Sequence, residues 1–566
     1  MTDRKAVKWL LKTAGSYRLY IAFLLLLQIA VSGVSVCYAL AMKNMIDCAV
    51  GGDRDGFFGG LLLFASLIVA LMLLRMAVRH LEEATRSSLE NKFKERLFSC
   101  LLKKDFGQVS AVHSEEWMNR LTSDTVVCAN GLTEILPGFM GMAVRLAGAM
   151  VLIFLLQPTL ACIMLPAGIL FLFIAFFLRR SIKRFHKQVQ EKDGEVRVYL
   201  QERISSMLVL RTFGAEKTAE SGAEKVFGGH KKARMKKAVV SNLCNTGFSA
   251  AINAMYLLGI GYCGYGILNG TVSYGTLTAI IQLVGQLQAP LSGISGYVPR
   301  FYAMLASAER LMEAEDYKSS GAEEAKSPVE ARELYNNRVK SIAFENVSFD
   351  YGKNENTPVL SNISLSVNKG DYVAVTGISG CGKSTLLKLL MGVYRPTKGR
   401  AEILLEGDER LPAGTMRRLF GYVPQGNYLM GGSIREVITF GKEESGEGIG
   451  FERAVELACA GFIYGLPEKE NTVLGEKGAG LSEGQMQRIA IARALYADAP
   501  VLILDEATSA LDGETEERLL INLKKLTDKT VFIVTHRPGA LEICNKQLDF
   551  SEDGMKLMNL REAKNE

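Results

Sequence analysis

Six apolar blocks, each long enough to cross a bilayer, constrain this chain more than any other feature. A spanning helix needs about 20 apolar residues. Such blocks run from about Leu19 to Met42, Phe57 to Val78, Leu132 to Leu156, Thr159 to Leu178, Asn242 to Leu268 and Gly275 to Val298. They predict an all-α membrane domain over 1–312. The connection Gln157-Pro158 and the loop Asn269 to Tyr274 carry no Lys or Arg, whereas Arg79 to Arg120, Arg179 to Lys237 and the N-terminal stretch are rich in both. Cations collect on the cytoplasmic side of spans. Both termini are therefore expected in the cytosol, and the length and periodicity of the basic stretches predict helices that continue far beyond the membrane.

The remainder of the chain is chemically different. From Ser341 onward there are 26 Lys+Arg and 32 Asp+Glu, a net of −6, which leaves 40 and 28, a net of +12, before that point. Overall, 48% hydrophobic and 22% charged residues exclude a disordered or collagenous chain. The ten cysteines include no CxxC pair, so neither a disulfide framework nor a zinc finger is expected. Residues 313–340 are polar and broken by Gly321 and Pro328, which reads as a linker. Beyond it, short β-branched runs alternate with helical stretches, the pattern of an α/β domain over 341–566 on a largely parallel sheet.

That second domain carries the chemistry. Gly377-Ile-Ser379-Gly380-Cys381-Gly382-Lys383-Ser384 matches G-x-x-x-x-G-K-[ST] between an apolar strand and an apolar helix beginning at Thr385. Glycines let backbone N–H groups curl around phosphate oxygens, Lys383 neutralises β/γ charge and Ser384 offers a hydroxyl to Mg²⁺. At Cys381 only the backbone N–H is required. Val501 to Leu504 is hydrophobic throughout and ends in Asp505 and Glu506. A strand buried on both faces presents these two carboxylates at its C-terminal edge, Asp505 toward a metal and Glu506 toward an attacking water.

With these elements in place, Leu481-Ser482-Glu483-Gly484-Gln485, upstream of the Asp-Glu strand, resembles the signature sequence of ATP-binding cassette (ABC) proteins. Ser509-Ala-Leu-Asp512 resembles the family's D-loop, Gln425 its Q-loop glutamine, His536 its switch histidine and Tyr351 its adenine-stacking aromatic. Thr472 to Gly478 and Leu208 to Glu216 resemble segments through which exporters join their two domains. The whole chain is similar to a half-size ABC exporter: a six-helix transmembrane domain with long cytoplasmic helix extensions, then an α/β P-loop nucleotide-binding domain. One position departs from the pattern, since Glu483 stands where glycine is commonest.

The resemblance implies an ATPase coupled to transport, with ATP and Mg²⁺ as cofactors. Ser384, Gln425 and Asp505 would hold the metal, Glu506 would polarise water and His536 would hold the γ-phosphate. In the family, Ser482, Gly484 and Gln485 act on the nucleotide of a second subunit. The expected partners are therefore a second copy or a related half-transporter, in a plasma-membrane bilayer. The expected cargo is a hydrophobic or amphipathic compound, lipid or peptide, moved outward; nucleic acid is not expected. An importer built on the exporter fold, as in metal-chelate uptake, and an ATP-gated channel or sensor are the alternatives. Arg75, Arg145, Gln282 and Gln286 are the polar residues within the spans whose placement bears on cargo.

Overall fold

The computed structural model describes residues 2–317, 328–351, 358–415, 417–426, 429–441, 449–475, 480–551 and 554–560. It separates into two compact units, Met1–Cys100 with Glu115–Asp316, and Leu101–Ser114 with Tyr317–Glu566.

In the first unit the chain forms α1 (Thr2–Ala14), α2 (Tyr17–Gly51) and α3 (Arg54–Lys103). It passes through α4 (Phe106–Ser110), which groups with the second unit. It then returns as α5 (Ser114–Asn119), α6 (Thr125–Asn130), α7 (Leu136–Leu156), α8 (Pro158–Ser205), α9 (Met207–Thr212), α10 (Glu216–Leu268) and α11 (Tyr274–Asp316). Among the described residues, Tyr17–Gly51, Arg54–Lys103, Ser114–Leu156 and Glu216–Leu268 are long and apolar enough to cross a membrane. The helices run on well past the apolar blocks, as α3 to Lys103 and α10 from Glu216 illustrate.

Small and branched side chains let these helices approach closely. Ala39 of α2, Ala149 and Ile153 of α7, Ala161 of α8, Cys263 of α10 and Ala279 of α11 share one buried cluster. Two π-helical turns, Arg120–Asp124 and Gly131–Ile135, interrupt the run that leads into α7. A π turn adds one residue and re-aims the side chains around it. Here it aims Asp124 inward, where its buried carboxylate accepts from Ser307 Oγ at 2.9 Å and Arg310 Nε at 2.8 Å, both on α11.

The second unit begins earlier than its sequence suggests. The expected linker 313–340 is helical at both ends: α11 continues to Asp316, residues 318–327 lie outside the described residues, and α12 (Pro328–Arg338) is a helix leading directly into β1 (Val339–Phe349). Tyr335 of α12 is fully buried, and its hydroxyl shares a hydrogen bond with Thr530 at 2.6 Å. Polar composition masked this element because only one side of its three turns is buried, at Ala331 and Tyr335.

The unit then forms β2 (Leu360–Asn368), β3 (Tyr372–Gly377), α13 (Lys383–Leu390), β4 (Lys398–Leu405), β5 (Arg410–Pro412), β6 (Phe420–Val423), β7 (Gly432–Ser433), α14 (Ile434–Thr439), α15 (Phe451–Leu457) and β8 (Val473–Leu474). It closes with α16 (Glu483–Tyr496), β9 (Val501–Asp505), α17 (Gly513–Lys524), β10 (Thr530–Val534), α18 (Pro538–Ile543), β11 (Lys546–Ser551) and β12 (Gly554–Asn559). An antiparallel sheet orders β2-β1-β4-β5, and the main sheet orders β12-β11-β3-β10-β9-β6. In the main sheet β11, β3, β10, β9 and β6 run parallel, so the segments following β3, β6, β9 and β10 leave from one edge. Ligands of open parallel sheets bind at that carboxyl edge.

Candidate nucleotide site

The loop between β3 and α13 is shaped by glycines that no other residue could replace without strain. Gly377 has φ +134°, and a Cβ there would lie 2.6 Å from the Phe550 backbone oxygen. Gly382 has φ +103°, and a Cβ would meet Leu360 Cδ2 at 2.7 Å. Between them Ser379 and Gly380 are exposed, while Cys381 is half-buried and packs against the core formed with β1, β3 and α13. Leu386, Leu387, Leu389 and Leu390 anchor α13 in that core, so the helix N-terminus is fixed beneath the loop. Lys383 is buried and its Nζ donates to the carbonyls of Gly377 at 2.6 Å and Ile378 at 2.9 Å, which holds the ammonium in the mouth of the loop.

The acidic strand meets this loop. Asp505 is almost fully buried, accepting from Ser384 Oγ at 3.3 Å and from the Tyr422 hydroxyl at 3.2 Å. Burial pushes its carboxyl above the usual carboxylate range, against the two hydroxyl donors that favour the charged form. Glu506 turns out of the strand with φ +53°, its N–H bonded to the Val534 carbonyl at 3.2 Å. An L residue adopts that conformation sparingly, and here it releases the side chain from the sheet. Its carboxylate accepts from Gln425 Nε2 at 2.8 Å. His536 is exposed two residues beyond Val534, the strand partner of Asp505. The Tyr351 hydroxyl shares a hydrogen bond with Thr385 at 2.8 Å, while the tyrosine remains half exposed.

Ser482 caps α16: its Oγ accepts from Gln485 N at 3.2 Å, and Gln485 Oε1 accepts from Ser482 N at 2.9 Å. Glu483 is exposed in the first turn, where a carboxylate is favoured by the helix dipole. Gly484 is needed for packing, since a Cβ would come within 2.7 Å of the Ala510 carbonyl oxygen. Two side chains absent from the sequence reading secure the 509–512 loop. Gln487, buried on α16, donates to Ser509 Oγ at 2.9 Å and accepts from Ala510 N at 3.0 Å. Arg537 donates to the carbonyls of Ser509 at 2.8 Å and Leu511 at 3.1 Å, and pairs with Glu516 at 2.6 Å.

A third unforeseen residue, Tyr394, packs edge-on to Tyr351 with ring centroids 5.5 Å apart. Its other side meets α4, where Phe106 is edge-on at 5.8 Å and Ser110 Oγ lies 3.4 Å from its hydroxyl. Of the two segments expected to join domains, Leu208 to Glu216 forms α9 and the start of α10, with Leu208 and Phe213 exposed. Thr472 to Gly478 includes β8, and its part after residue 475 lies outside the described residues.

A glycine loop, a lysine and two strand-end carboxylates at the carboxyl edge of a parallel sheet define a P-loop nucleotide site, in a chain that also contains membrane-length helices. Comparison with known proteins fixes the family. The ABC transporter transmembrane region family matches residues 19–291, and the ABC transporter family matches residues 360–509. The ABC multidrug transporter mdr2 of Aspergillus fumigatus is 29% identical over 95% of this chain and 68% of its own. The putative multidrug export ATP-binding/permease protein YgaD of Bacillus subtilis is 28% identical over 94% of this chain and 92% of its own. The ATP-dependent lipid A-core flippase of Photobacterium profundum is 28% identical over 88% and 85%. Among solved structures, a bacterial Atm1-family ABC exporter with ATP bound shares the fold, with a TM-score of 0.79 at 22% identity over 97% of this chain and 96% of that one.

The chain belongs to the ABC transporter superfamily, with the domain order of a half-size exporter. It is a membrane protein that binds ATP and couples its hydrolysis to transport.

Proposed function

We propose that two copies of this chain, or one copy with a related half-transporter, export an amphipathic compound across the plasma membrane, with both termini in the cytosol. The observation that carries the catalytic part is the meeting of Lys383, Ser384, Asp505, Glu506 and Gln425 at one sheet edge. Lys383, freed from its carbonyl partners, neutralises the β/γ-phosphates of ATP cradled by residues 377–385. Tyr351 stacks on the adenine. Glu506 polarises the attacking water, held in place by Gln425, and His536 holds the γ-phosphate. Such positioning and charge neutralisation is most of what phosphoryl transfer requires.

The chemistry of the donors fits Mg²⁺, a hard cation that takes oxygen ligands. Ser384, Asp505 and Gln425 are the residues that would hold it, and it would supply positive charge against the β/γ-phosphates. One chain carries one P-loop and one signature helix, so Ser482, Gly484 and Gln485 serve the nucleotide of the partner. A complete site then needs a dimer.

The cargo reading rests on two arginines in the membrane part. Arg145 of α7 has a buried Nε without a hydrogen-bond partner among the described residues, and Arg75 lies in the apolar run of α3. Cations within the apolar spans that have no ion pair among the described residues favour a substrate with an anionic group on an apolar body. By contrast, Gln286 donates to the Ser35 carbonyl at 2.7 Å and so serves helix packing. The test is ATPase stimulation of the purified protein in lipid by matched amphiphiles that differ only in head-group charge. Stimulation by anionic members that is lost in Arg145→Gln supports the reading; equal stimulation by cationic members opposes it.

A further inference from the structure

The N-terminal helix α1 has two faces with different partners. Ala6, Leu10, Thr13 and Ala14, spaced by four, three and one, are buried. Trp9 Nε1 donates to Glu315 on α11 at 2.9 Å, the Trp9 ring stacks on Phe93 of α3 at 6.0 Å, and Lys92 donates to the Ala14 carbonyl at 3.1 Å. One face is thus tied firmly to α3 and α11. The other face carries Arg4, Lys8 and Lys12, one every four residues and therefore in a row.

That row, with Arg18 from the start of α2, rims a cavity of about 690 Å³. Its apolar lining comes from Val7 and Leu11 of α1 and Phe301 of α11, and among the described residues no carboxylate lines it. None of the four cations has a hydrogen bond or ion pair among the described residues. Immediately beyond Arg18, α2 begins a membrane-length apolar run whose outer face shows Leu19 at 77% and Phe23 at 52% exposure. Four unneutralised cations around an apolar floor, one turn from a lipid-facing surface, are complementary to a molecule with an anionic head and hydrocarbon chains.

We propose that this cavity holds the phosphate-bearing headgroup of an anionic phospholipid, with its chains lying along Leu19 and Phe23. Free phosphate matches the cations but leaves the apolar floor and the adjoining surface unused. Basic side chains near a membrane surface each strengthen attraction to anionic lipid about fivefold. Because Phe301 and Glu315 both belong to α11, a lipid seated here clamps α1 onto that helix and regulates ATPase activity through it.

The sequence contains two tryptophans, Trp9 and Trp117. Trp117→Phe therefore leaves Trp9, on the pocket helix, as the only indole. The full chain with this change is placed in nanodiscs containing brominated phosphatidylglycerol or brominated phosphatidylcholine at equal mole fraction. Trp9 quenching at least about twofold stronger with phosphatidylglycerol is expected, and Arg4→Gln/Lys8→Gln/Lys12→Gln removes the difference. The ATPase rate of the chain rises severalfold with phosphatidylglycerol, whereas the triple variant keeps its zwitterionic-lipid rate and does not respond. Equal quenching by both lipids, or an anionic-lipid preference surviving in the triple variant, overturns the proposal. Loss of the preference on adding millimolar inorganic phosphate at constant ionic strength also overturns it, by showing that the site takes the free ion.

Discussion

The side-chain amide of Gln425, just past the end of β6, donates to the carboxylate of Glu506, just past the end of β9, across 2.8 Å. The contact joins two loops that leave neighbouring parallel strands, and it holds the glutamate where its left-handed backbone has released it from the sheet. Glu506→Gln keeps the size and the hydrogen-bonding capacity of the side chain but removes its basicity. Turnover is expected to fall by about 10²–10⁴-fold, the usual contribution of a positioned general base, with ATP binding retained. Steady-state ATPase rates beside equilibrium binding of a fluorescent ATP analogue check both halves. Wild-type turnover in this variant would remove Glu506 from its assigned role.

Lys383 differs because its ammonium meets phosphate charge before any bond breaks. Lys383→Ala is expected to weaken ATP binding as well as turnover. Mixing Lys383→Ala chains with Ser482→Ala chains in a homodimer places both defects in one composite site and leaves the other intact. Mixed dimers should therefore recover part of the activity that neither variant has alone. ATPase assays on dimers isolated with two different affinity tags read this directly, and equally inactive mixtures would argue against independent composite sites.

Tyr394 stands between Tyr351 and α4. An aromatic pair contributes about 0.5–1.5 kcal/mol beyond simple burial. Tyr394→Ala should therefore raise the ATP concentration for half-maximal activity by about 2- to 10-fold, whereas Tyr394→Phe should change it little. An unchanged ATP dependence in Tyr394→Ala would show that Tyr351 is held adequately by Thr385 alone.

Asp124 joins the π turn before α6 to α11 through Ser307 and Arg310. Hydrogen bonds to a charged group are worth about 1.5–3 kcal/mol. Asp124→Ala should destabilise the membrane unit by roughly that amount, and Ser307→Ala by less. Thermal unfolding of the detergent-solubilised chain, followed by reaction of a dye with the buried Cys128, provides the measurement.

The P-loop and the acidic strand were legible because their chemistry is local: a contiguous motif fixes its own backbone, and an uninterrupted apolar strand announces burial on both faces. Long apolar helices were legible too, since length and apolarity mark them; among the described residues four are long and apolar enough to cross a membrane. Tyr394, Gln487, Arg537 and Tyr422 escaped notice for the opposite reason. Each acts on a residue distant in sequence, as Tyr422 does on Asp505 across 83 positions, and nothing in its neighbours marks it. The helix α12 was hidden by composition, and the π turns by their lack of any distinguishing residue pattern.

Direction of transport is the central claim, and inside-out vesicles test it most directly. With MgATP outside, a fluorescent anionic amphiphile that stimulates the ATPase should accumulate in the lumen of vesicles carrying the wild-type chain, and should not accumulate with Glu506→Gln. Depletion from a preloaded lumen would mean uptake rather than export. ATP hydrolysis that is stimulated by the amphiphile without moving it would contradict coupled transport altogether.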